Sequence, residues 1–232
     1  MFVPATLLLL LCDLVLLSCA NSTLPFLDDL APLKVEFHSL NFRNVLHWRQ
    51  HPGAPEDLQY VVQYKVYGEK QWSDAKLCQA IHDFQCDLSQ ETSDPREWYY
   101  ARVQAVSFKG LSPWIISSRF HPRWDTTFSP PQIRLNLTEQ GIVVHIRPPR
   151  SPLQGRKQNR IAVTKLQKLI FRIYLIHNGI DKQDTYETDG CSKKVLIKAL
   201  SPKTAYCLQA VTVTPPFGRT STRSPSTCIT TA

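Results

Sequence analysis

Short runs of alternating apolar and polar residues recur about every ten residues along this chain. The clearest is Tyr100–Val106, in which Ala101, Val103 and Ala105 share one face of a strand. Such runs, separated by turn residues, predict the short strands of a β-sandwich. In the first half the predicted strands are Leu33–Ser39, Val45–Arg49, Tyr60–Tyr67, Phe84–Leu88, Tyr99–Ser107 and Trp114–Phe120.

A second series repeats the first in the number and length of its elements. A proline-bearing stretch from Phe120 to Pro131 separates the two series, excludes a continuous ladder and predicts a semi-rigid elbow near Trp124–Thr126. We therefore expect an all-β chain with a leader at residues 1–20 and tandem domains at 21–124 and 125–232. The second series comprises Gln132–Leu137, Ile142–Ile146, Leu169–Ile176, Val195–Ala199, Tyr206–Thr214 and Ser226–Thr230.

The leader has the pattern of a secretory signal peptide. Residues 3–19 are almost all apolar, and Ser18 and Ala20 place small residues before a cleavage point. The alternative is an N-terminal membrane anchor, which Asp13 and the absence of a preceding Lys or Arg disfavour. No later segment approaches about 18 unbroken apolar residues. We therefore expect a secreted, extracellular protein with no membrane span.

The net charge and the absence of catalytic motifs reduce the number of function classes that fit this sequence. The chain has 27 Lys and Arg against 19 Asp and Glu, a net charge of +8. This modest basicity suits acidic partners or glycosaminoglycans and is not evidence for nucleic acid. Gly-x-Ser-x-Gly, His-Glu-x-x-His, phosphate-loop and Cys-x-x-Cys motifs are absent from the sequence. We expect no enzyme activity, no cofactor and no metal site.

Cysteines and sequons agree with passage through an oxidising compartment. Five cysteines follow the leader and predict two bridges and one odd thiol. The sequons at Asn21 and Asn136 predict N-glycosylation. The five cysteines are Cys78, Cys86, Cys191, Cys207 and Cys228.

The segment Leu200–Tyr206 reads Leu-Ser-Pro-Lys-Thr-Ala-Tyr and leads into an alternating strand. A Leu-x-Pro-x-Thr-x-Tyr turn is typical of fibronectin type III domains, where the Tyr ring caps the core and its hydroxyl bonds to backbone. A coincidental turn is the alternative. The fold prediction is two tandem fibronectin type III-like β-sandwich domains at an elbow.

Motifs in the same order along the whole mature chain resemble those of the class II cytokine receptor family. The resemblance implies two fibronectin type III domains at a bend, whose loops grip a helical cytokine. The leader, length and ending are similar to those of a soluble member of the family. The motifs are Asn41–Trp48, the Tyr-x-x-Tyr-Gly-x-x-x-Trp hairpin at Tyr64–Trp72, Asp87–Thr92, Tyr99–Val103, Arg119–Pro122, Pro130–Pro131 and Pro202–Cys207.

This resemblance implies that a Tyr-Gly turn enters a cleft of the cytokine. Gly68 permits a tight turn, and Tyr67 offers a large contact with few rotatable bonds. Glu69 and Lys70 would flank the contact. The alternative is that Tyr67 packs on Trp72 across its own hairpin.

The family geometry further implies that loops 91–94, 108–111 and 215–218 lie at the same face. Phe217 lies between Pro216 and Gly218 and is a candidate apolar anchor, with packing against its own domain as the alternative. The contact residues taken from these loops are Thr92, Lys109, Pro216 and Phe217.

The bridges Cys78–Cys86 and Cys207–Cys228 match the family pattern. The first would close a short local loop, and the second would join the last two predicted strands. Cys191 departs from the pattern. It is expected to be a buried thiol, a surface thiol that dimerises, or a competitor for Cys207.

The stretch Arg147–Arg172 is strongly basic, and no acidic residue occurs between Glu139 and Asp181. We interpret it as a solvated loop entering a strand, with a sulfated-glycan or membrane-surface contact as the alternative.

Together these observations predict a secreted protein that binds and sequesters a helical cytokine of the interleukin-10 class, with interleukin-22 as the first candidate. One rival is the ectodomain of a membrane-anchored receptor. The other is a heparin- or matrix-binding β-sandwich protein that acts through the basic stretch.

Overall fold

The computed structural model describes residues 27–155, 158–177 and 180–232. The predicted leader and the sequon at Asn21 lie outside the described residues, as do Arg156 and Lys157 of the basic stretch.

The first half of the chain forms a sandwich of a three-stranded and a five-stranded antiparallel sheet, with orders β1-β2-β5 and β4-β3-β6-β7 and with β8 also paired to β6. Leu46 and Trp48 of the smaller sheet meet Val62 and Val103 of the larger sheet in a buried core. This burial of alternate residues drives the two sheets together. The strands are β1 (Leu33–Leu40), β2 (Arg43–Arg49), β3 (Gln59–Val66), β4 (Ser73–Asp74), β5 (Gln85–Asp87), β6 (Tyr99–Ser107), β7 (Gly110–Leu111) and β8 (Ile115–Ile116).

The second half repeats this plan. Its sheets have the orders β15-β10-β9 and β14-β13-β16-β17, β18 pairs with β16, and β11 and β12 form a separate hairpin. Ile142 and Val144 of one sheet meet Phe171 and Leu208 of the other. The strands are β9 (Gln132–Thr138), β10 (Gly141–Arg147), β11 (Arg150–Gln154), β12 (Arg160–Ala162), β13 (Ile170–His177), β14 (Ile180–Asp189), β15 (Lys194–Ile197), β16 (Ala205–Thr214), β17 (Arg219–Thr220) and β18 (Thr227–Thr230).

Helical structure in the described chain is short. A four-residue helix, α1 (Pro122–Asp125), joins the two sandwiches. Single 3₁₀ turns occupy Asp28–Leu30, Val163–Lys165 and Pro215–Phe217. Among the described residues no helix has the length and apolar character needed to cross a membrane.

The all-β prediction and the two tandem fibronectin type III-like domains are confirmed. The predicted strand Trp114–Phe120 is too long, because β8 covers only Ile115–Ile116. The hydroxyls of Ser112 and Ser117 accept the amide protons of Ala105 and Ala101 on β6, so side chains replace part of the ladder there.

The sequence pattern does not predict strand β14 (Ile180–Asp189). Its sequence is mostly polar, with Ile180 and Tyr186 as its only apolar or aromatic residues, and it lacks apolar alternation. It pairs with β13 at the edge of its sheet, where side chains need not be apolar. Sequence alternation therefore could not indicate it.

The tyrosine turn and both bridges form as the sequence predicts. The hydroxyl of Tyr206 accepts a hydrogen bond from the amide of Ser201 at 2.8 Å. Cys78 is bonded to Cys86, and Cys207 is bonded to Cys228. The fifth cysteine, Cys191, is free and exposed, so the expectation of a buried thiol is wrong.

The β1–β2 turn fixes the elbow between the sandwiches. Asn41 and Phe42 both have positive φ, 55° and 64°, as a two-residue hairpin turn of this type requires. The amide of Asn41 donates to the carbonyl of Thr127 at 2.8 Å, and its side chain exchanges two hydrogen bonds with Ser129. The hydroxyl of Thr126 accepts the amide proton of Phe42 at 3.0 Å.

An apolar cluster fills the elbow behind this turn. Phe42 is 1% exposed and packs edge-to-face on Phe128, with ring centroids 5.7 Å apart. Val163 and Leu169 of the second sandwich complete the cluster. Residues from both domains therefore share one small core, which resists bending at the elbow.

We predict that Phe42→Ala lowers the free energy of unfolding by about 3 kcal/mol, since it empties a shared buried site. Phe108→Ala is the control, because Phe108 is 78% exposed and its loss should change stability by no more than about 0.5 kcal/mol. Urea unfolding of both variants measures the difference. Equal stability of the two variants would contradict a cohesive elbow core.

Candidate ligand-binding site at the elbow

The Tyr67–Gly68 turn projects from the end of β3 that faces the elbow. The amide of Tyr67 donates to the carbonyl of Trp98 at 2.7 Å, which holds the turn against the residue that precedes β6. Gly68 has φ of 92°, and no atom lies within 4 Å of where a Cβ would be. The turn therefore needs glycine for its backbone and not for space.

The Tyr67 side chain is 57% exposed. Its ring centroid lies 6.2 Å from that of Tyr100, and the guanidinium of Arg119 lies 5.5 Å from it. Trp72, the packing partner considered from the sequence, instead stacks with Arg102 at 4.4 Å and Lys65 at 4.9 Å. Tyr67 is thus a supported aromatic ring with a free face.

Glu69 and Lys70 continue the turn and are exposed. The carboxylate of Glu69 accepts the amide proton of Val66 at 3.4 Å, and its carbonyl accepts a hydrogen bond from Lys65 at 3.2 Å. Glu69 therefore shapes the turn, while Lys70 adds a positive charge at its rim.

A series of stacked side chains, which we call the elbow stack, links this turn to the second domain. Arg119 lies between Tyr67 and Trp98, 4.1 Å from the Trp98 ring. Trp98 contacts His121 at 4.5 Å and Trp124 at 5.2 Å between ring centroids. Trp124 then faces Phe217 at 6.3 Å. The members of the elbow stack are Tyr67, Arg119, Trp98, His121, Trp124 and Phe217.

Phe217 lies on the turn that follows β16. Its ring is 38% exposed and is flanked by Trp124 and by the guanidinium of Arg219, 4.8 Å away. Arg219 also donates a hydrogen bond to the carbonyl of Trp124. Pro216 beside it is exposed. Phe217 is therefore supported by the linker and by Arg219, and part of its ring remains open to solvent.

Thr92 does not present its side chain to a ligand. It is fully buried, its hydroxyl donates to the carbonyl of Leu88 at 2.7 Å, and it accepts from the side chain of Asn44 at 2.8 Å. The sequence-based assignment of Thr92 as a contact residue is corrected on this ground. Thr92 holds its loop against the β1–β2 hairpin.

Lys109 lies at the end of the first domain that is opposite to Tyr67. Val66, beside Tyr67, pairs with Tyr99 at the start of β6, whereas Lys109 follows Ser107 at the end of β6. Eight residues of strand separate these ends by about 26 Å. The expectation that loop 108–111 shares a face with Tyr67 is therefore wrong.

The basic stretch is not a single loop. Its described part contains the β11–β12 hairpin and the turn Val163–Lys165, which packs Val163 into the elbow core. Arg172 lies on β13 and pairs with Glu187 at 2.7 Å. The positive charge of this stretch is thus divided between two surfaces.

The sequence did not indicate Arg119, Trp98, His121 or Trp124 as parts of the site. Local composition is the sequence feature that could have indicated them. Trp and Arg residues occur on either side of the proline-bearing linker, and both residue types are frequent at the centres of interfaces.

Two tandem fibronectin type III domains with an aromatic elbow define a class of binding modules, not of enzymes. A family model described as Tissue factor matches residues 7–114. A second, described as Interferon-alpha/beta receptor, fibronectin type III, matches residues 126–232.

Curated relatives agree with these models. Interleukin-22 receptor subunit alpha-2 of Mus musculus is 36% identical over 218 residues, covering 93% of this chain and 94% of the relative. The Homo sapiens protein of the same name is 30% identical, covering 87% and 89%. Interleukin-20 receptor subunit alpha of Homo sapiens is 30% identical and covers 85% of this chain, but only 35% of that relative is matched.

A solved structure supports the fold. The chicken interferon gamma receptor alpha chain superposes with a TM-score of 0.70 at 21% identity, covering 90% of this chain and 99% of that chain. The chain described above belongs to the class II cytokine receptor family.

We predict that the elbow loses stability as pH falls below about 6.5. Burial lowers the pKa of His121 from its ordinary value of 6.5, and the nearby carboxylate of Asp125 opposes this only in part. Below pH 6.5 the unfolded chain takes up a proton on this imidazole while the folded state keeps it neutral. The free energy of unfolding is therefore highest above pH 6.5 and decreases as the pH falls below that value. Melting temperatures at pH 7.5 and 5.5 measure the effect.

His121→Gln is the control for this effect, because it removes the titrating group and leaves the other histidines unchanged. Its melting temperature should fall less between the two pH values than that of the parent protein. Equal falls would show that His121 does not carry the pH dependence.

Proposed function

We propose that this protein binds a helical cytokine of the interleukin-10 class, interleukin-22 first among them, and sequesters it from its signalling receptor. The observation that supports this most is the elbow stack, which brings Tyr67 of one domain and Phe217 of the other into one supported series. The similarity to interleukin-22 receptor subunit alpha-2 over most of both chains supports the choice of ligand.

In this proposal the protein acts by occupying a surface of the cytokine, and no covalent step is involved. Tyr67 would insert into a cleft of the cytokine, with Gly68 and Glu69 shaping the turn that presents it. Pro216 and Phe217 would provide a second apolar contact from the other domain. Because Arg119 and Trp124 already hold these rings in place, little side-chain entropy is lost on binding.

Sequestration follows if the signalling receptor uses the same cytokine surface. Both proteins would then compete for one site, and the freely diffusing chain would lower the concentration of available cytokine. A secreted chain is the expectation from the leader pattern. The rival proposal, an ectodomain anchored to a membrane, requires the same binding but not release from the cell.

The functional test is suppression of signalling. Purified protein added with interleukin-22 to cells that bear the full receptor should reduce STAT phosphorylation in proportion to the amount added. An increase in phosphorylation, or no binding to any interleukin-10-class cytokine, would refute the proposal. Recovery of the chain only in the membrane fraction of producing cells would favour the anchored rival.

Tyr67→Ala should weaken interleukin-22 binding by about 2 kcal/mol or more, about thirtyfold, because a central aromatic anchor is lost. Lys70→Ala should cost less, since a rim charge acts mainly on the association rate and its salt dependence. Surface-based kinetics measure both variants, with thermal melts to confirm folding.

Lys109→Ala is the matched control for Lys70→Ala, since both remove one exposed lysine from the same domain. It should leave affinity and association rate unchanged, because its loop lies at the far end of β6. If Tyr67→Ala binds normally, the elbow does not bind the cytokine through this turn.

A further inference from the structure

A row of basic side chains crosses the outer face of the three-stranded sheet in the second domain. His145 on β10 pairs with Arg134 on β9 and with Lys194 on β15. The neighbouring positions Ile142 and Val144 point into the core, so the three polar residues face outward. Residues paired in this way lie about 5 Å apart on one face. The row therefore places the positive charges of Arg134 and Lys194 on one face of the sheet, on either side of His145.

The row continues toward the elbow. Arg147 lies two residues beyond His145 on the same face of β10, and Arg150 follows on the β11–β12 hairpin. The guanidinium of Arg150 donates to the carbonyl of Arg160 at 3.1 Å, which orders the hairpin. We call these residues the basic band; its members are Arg134, His145, Arg147, Arg150, Arg160 and Lys194.

The hairpin end of the band lies beside a cleft between the domains. Arg150 and Arg160 line this cleft, of about 940 Å³, and the first-domain side carries Arg43, which is paired with Asp87. Asp125 also lines the cleft, so the band ends at Arg150 and Arg160.

The charges of the basic band are not neutralised within the described chain. None of the ion pairs between described residues includes a member of the band. The one carboxylate of the neighbouring cleft that forms an ion pair among the described residues, Asp87, pairs with Arg43 and not with the band. The exposed guanidinium and ammonium groups of the band therefore have no ion-pair partner among the described residues; they are those of Arg134, Arg147, Arg150, Arg160 and Lys194.

We propose that the basic band binds a linear sulfated glycosaminoglycan. A row of cations along a sheet and a hairpin matches a linear polyanion, and arginine fork geometry suits the oxygens of sulfate groups. Exposed single charges are screened at physiological salt, so only a ligand with many regularly spaced anions gains enough from such a row. This inference is independent of the proposed cytokine binding.

The basic band and the elbow stack belong to different sheets. Tyr67 and Phe217, the two ends of the stack, lie on turns of the five-stranded sheets, at β3–β4 and β16–β17, whereas the band follows a three-stranded sheet and the hairpin beside it. Glycan binding therefore leaves the elbow stack accessible. The protein would be retained on matrix or cell-surface glycans while its cytokine site stays open.

Heparin immobilised on a sensor surface, at about 0.15 M ionic strength, provides the test. Arg134→Gln/Lys194→Gln removes the two charges that flank His145 at the sheet end of the band and should weaken heparin binding by about tenfold. Lys76→Gln/Lys203→Gln is the matched control, because it removes two exposed charges elsewhere and should leave binding nearly unchanged. Arg147→Gln, on the same face as Arg134, provides a second measurement if the double variant does not fold.

Four results would overturn the proposal. They are no retention of the full chain on heparin, an equal loss in the control, equal binding to fully desulfated heparin, and a preference for phosphatidylserine vesicles over heparin. Interleukin-22 binding measured on the same variants separates the two sites. Its retention in the double variant, alongside weaker heparin binding, supports a distinct glycan surface.

Discussion

The insertion of the β1–β2 turn into the interdomain linker is the contact on which the remaining structure of the elbow depends. Two residues with positive φ, Asn41 and Phe42, place an amide side chain against Ser129 and an aromatic ring against Phe128. Non-glycine residues adopt this backbone region only at a cost, so the surrounding contacts must hold them there. Hydrogen bonds and apolar burial act together at this point, and neither sandwich can rotate without losing both.

A fixed elbow gives the aromatic residues of two domains a constant relation to each other. Trp98 and His121 belong to the first domain and the linker, Phe217 belongs to the second domain, and Trp124 lies between them. Arg119 and Arg219 cover the two outer rings and contribute cation–π attraction. Ordering of these side chains before the ligand arrives is the physical basis of the proposed affinity, since binding then costs less entropy.

The sequence predicts the strands with apolar alternation and the Tyr67–Gly68 turn because both depend on local patterns. Alternation marks the strands, and a Tyr-Gly pair between two strands marks a turn. Lys109 and Thr92 show where such reasoning stops. The end of the domain on which a loop lies depends on strand register, and the burial of Thr92 depends on Asn44, which is 48 residues away. Neither relation can be read from a local motif.

The elbow stack was missed for a similar reason. Its members come from four separate segments, and only the fold brings Trp98, Arg119 and Phe217 into one series. The basic band was indicated in part. The sequence shows an excess of positive charge at Arg147–Arg172, but it does not show which of these residues share a surface. Arg172 belongs to another sheet, while Arg134 and Lys194 join the band through cross-strand pairing.

The central claim is that one ligand contacts both domains at the elbow. A crystal structure of the two-domain chain bound to interleukin-22 tests it most directly. We predict a single cytokine surface that covers both Tyr67 and Phe217 and leaves Arg134 and Lys194 exposed. A cytokine that touches only one domain, or that lies against the three-stranded sheets, would contradict the account.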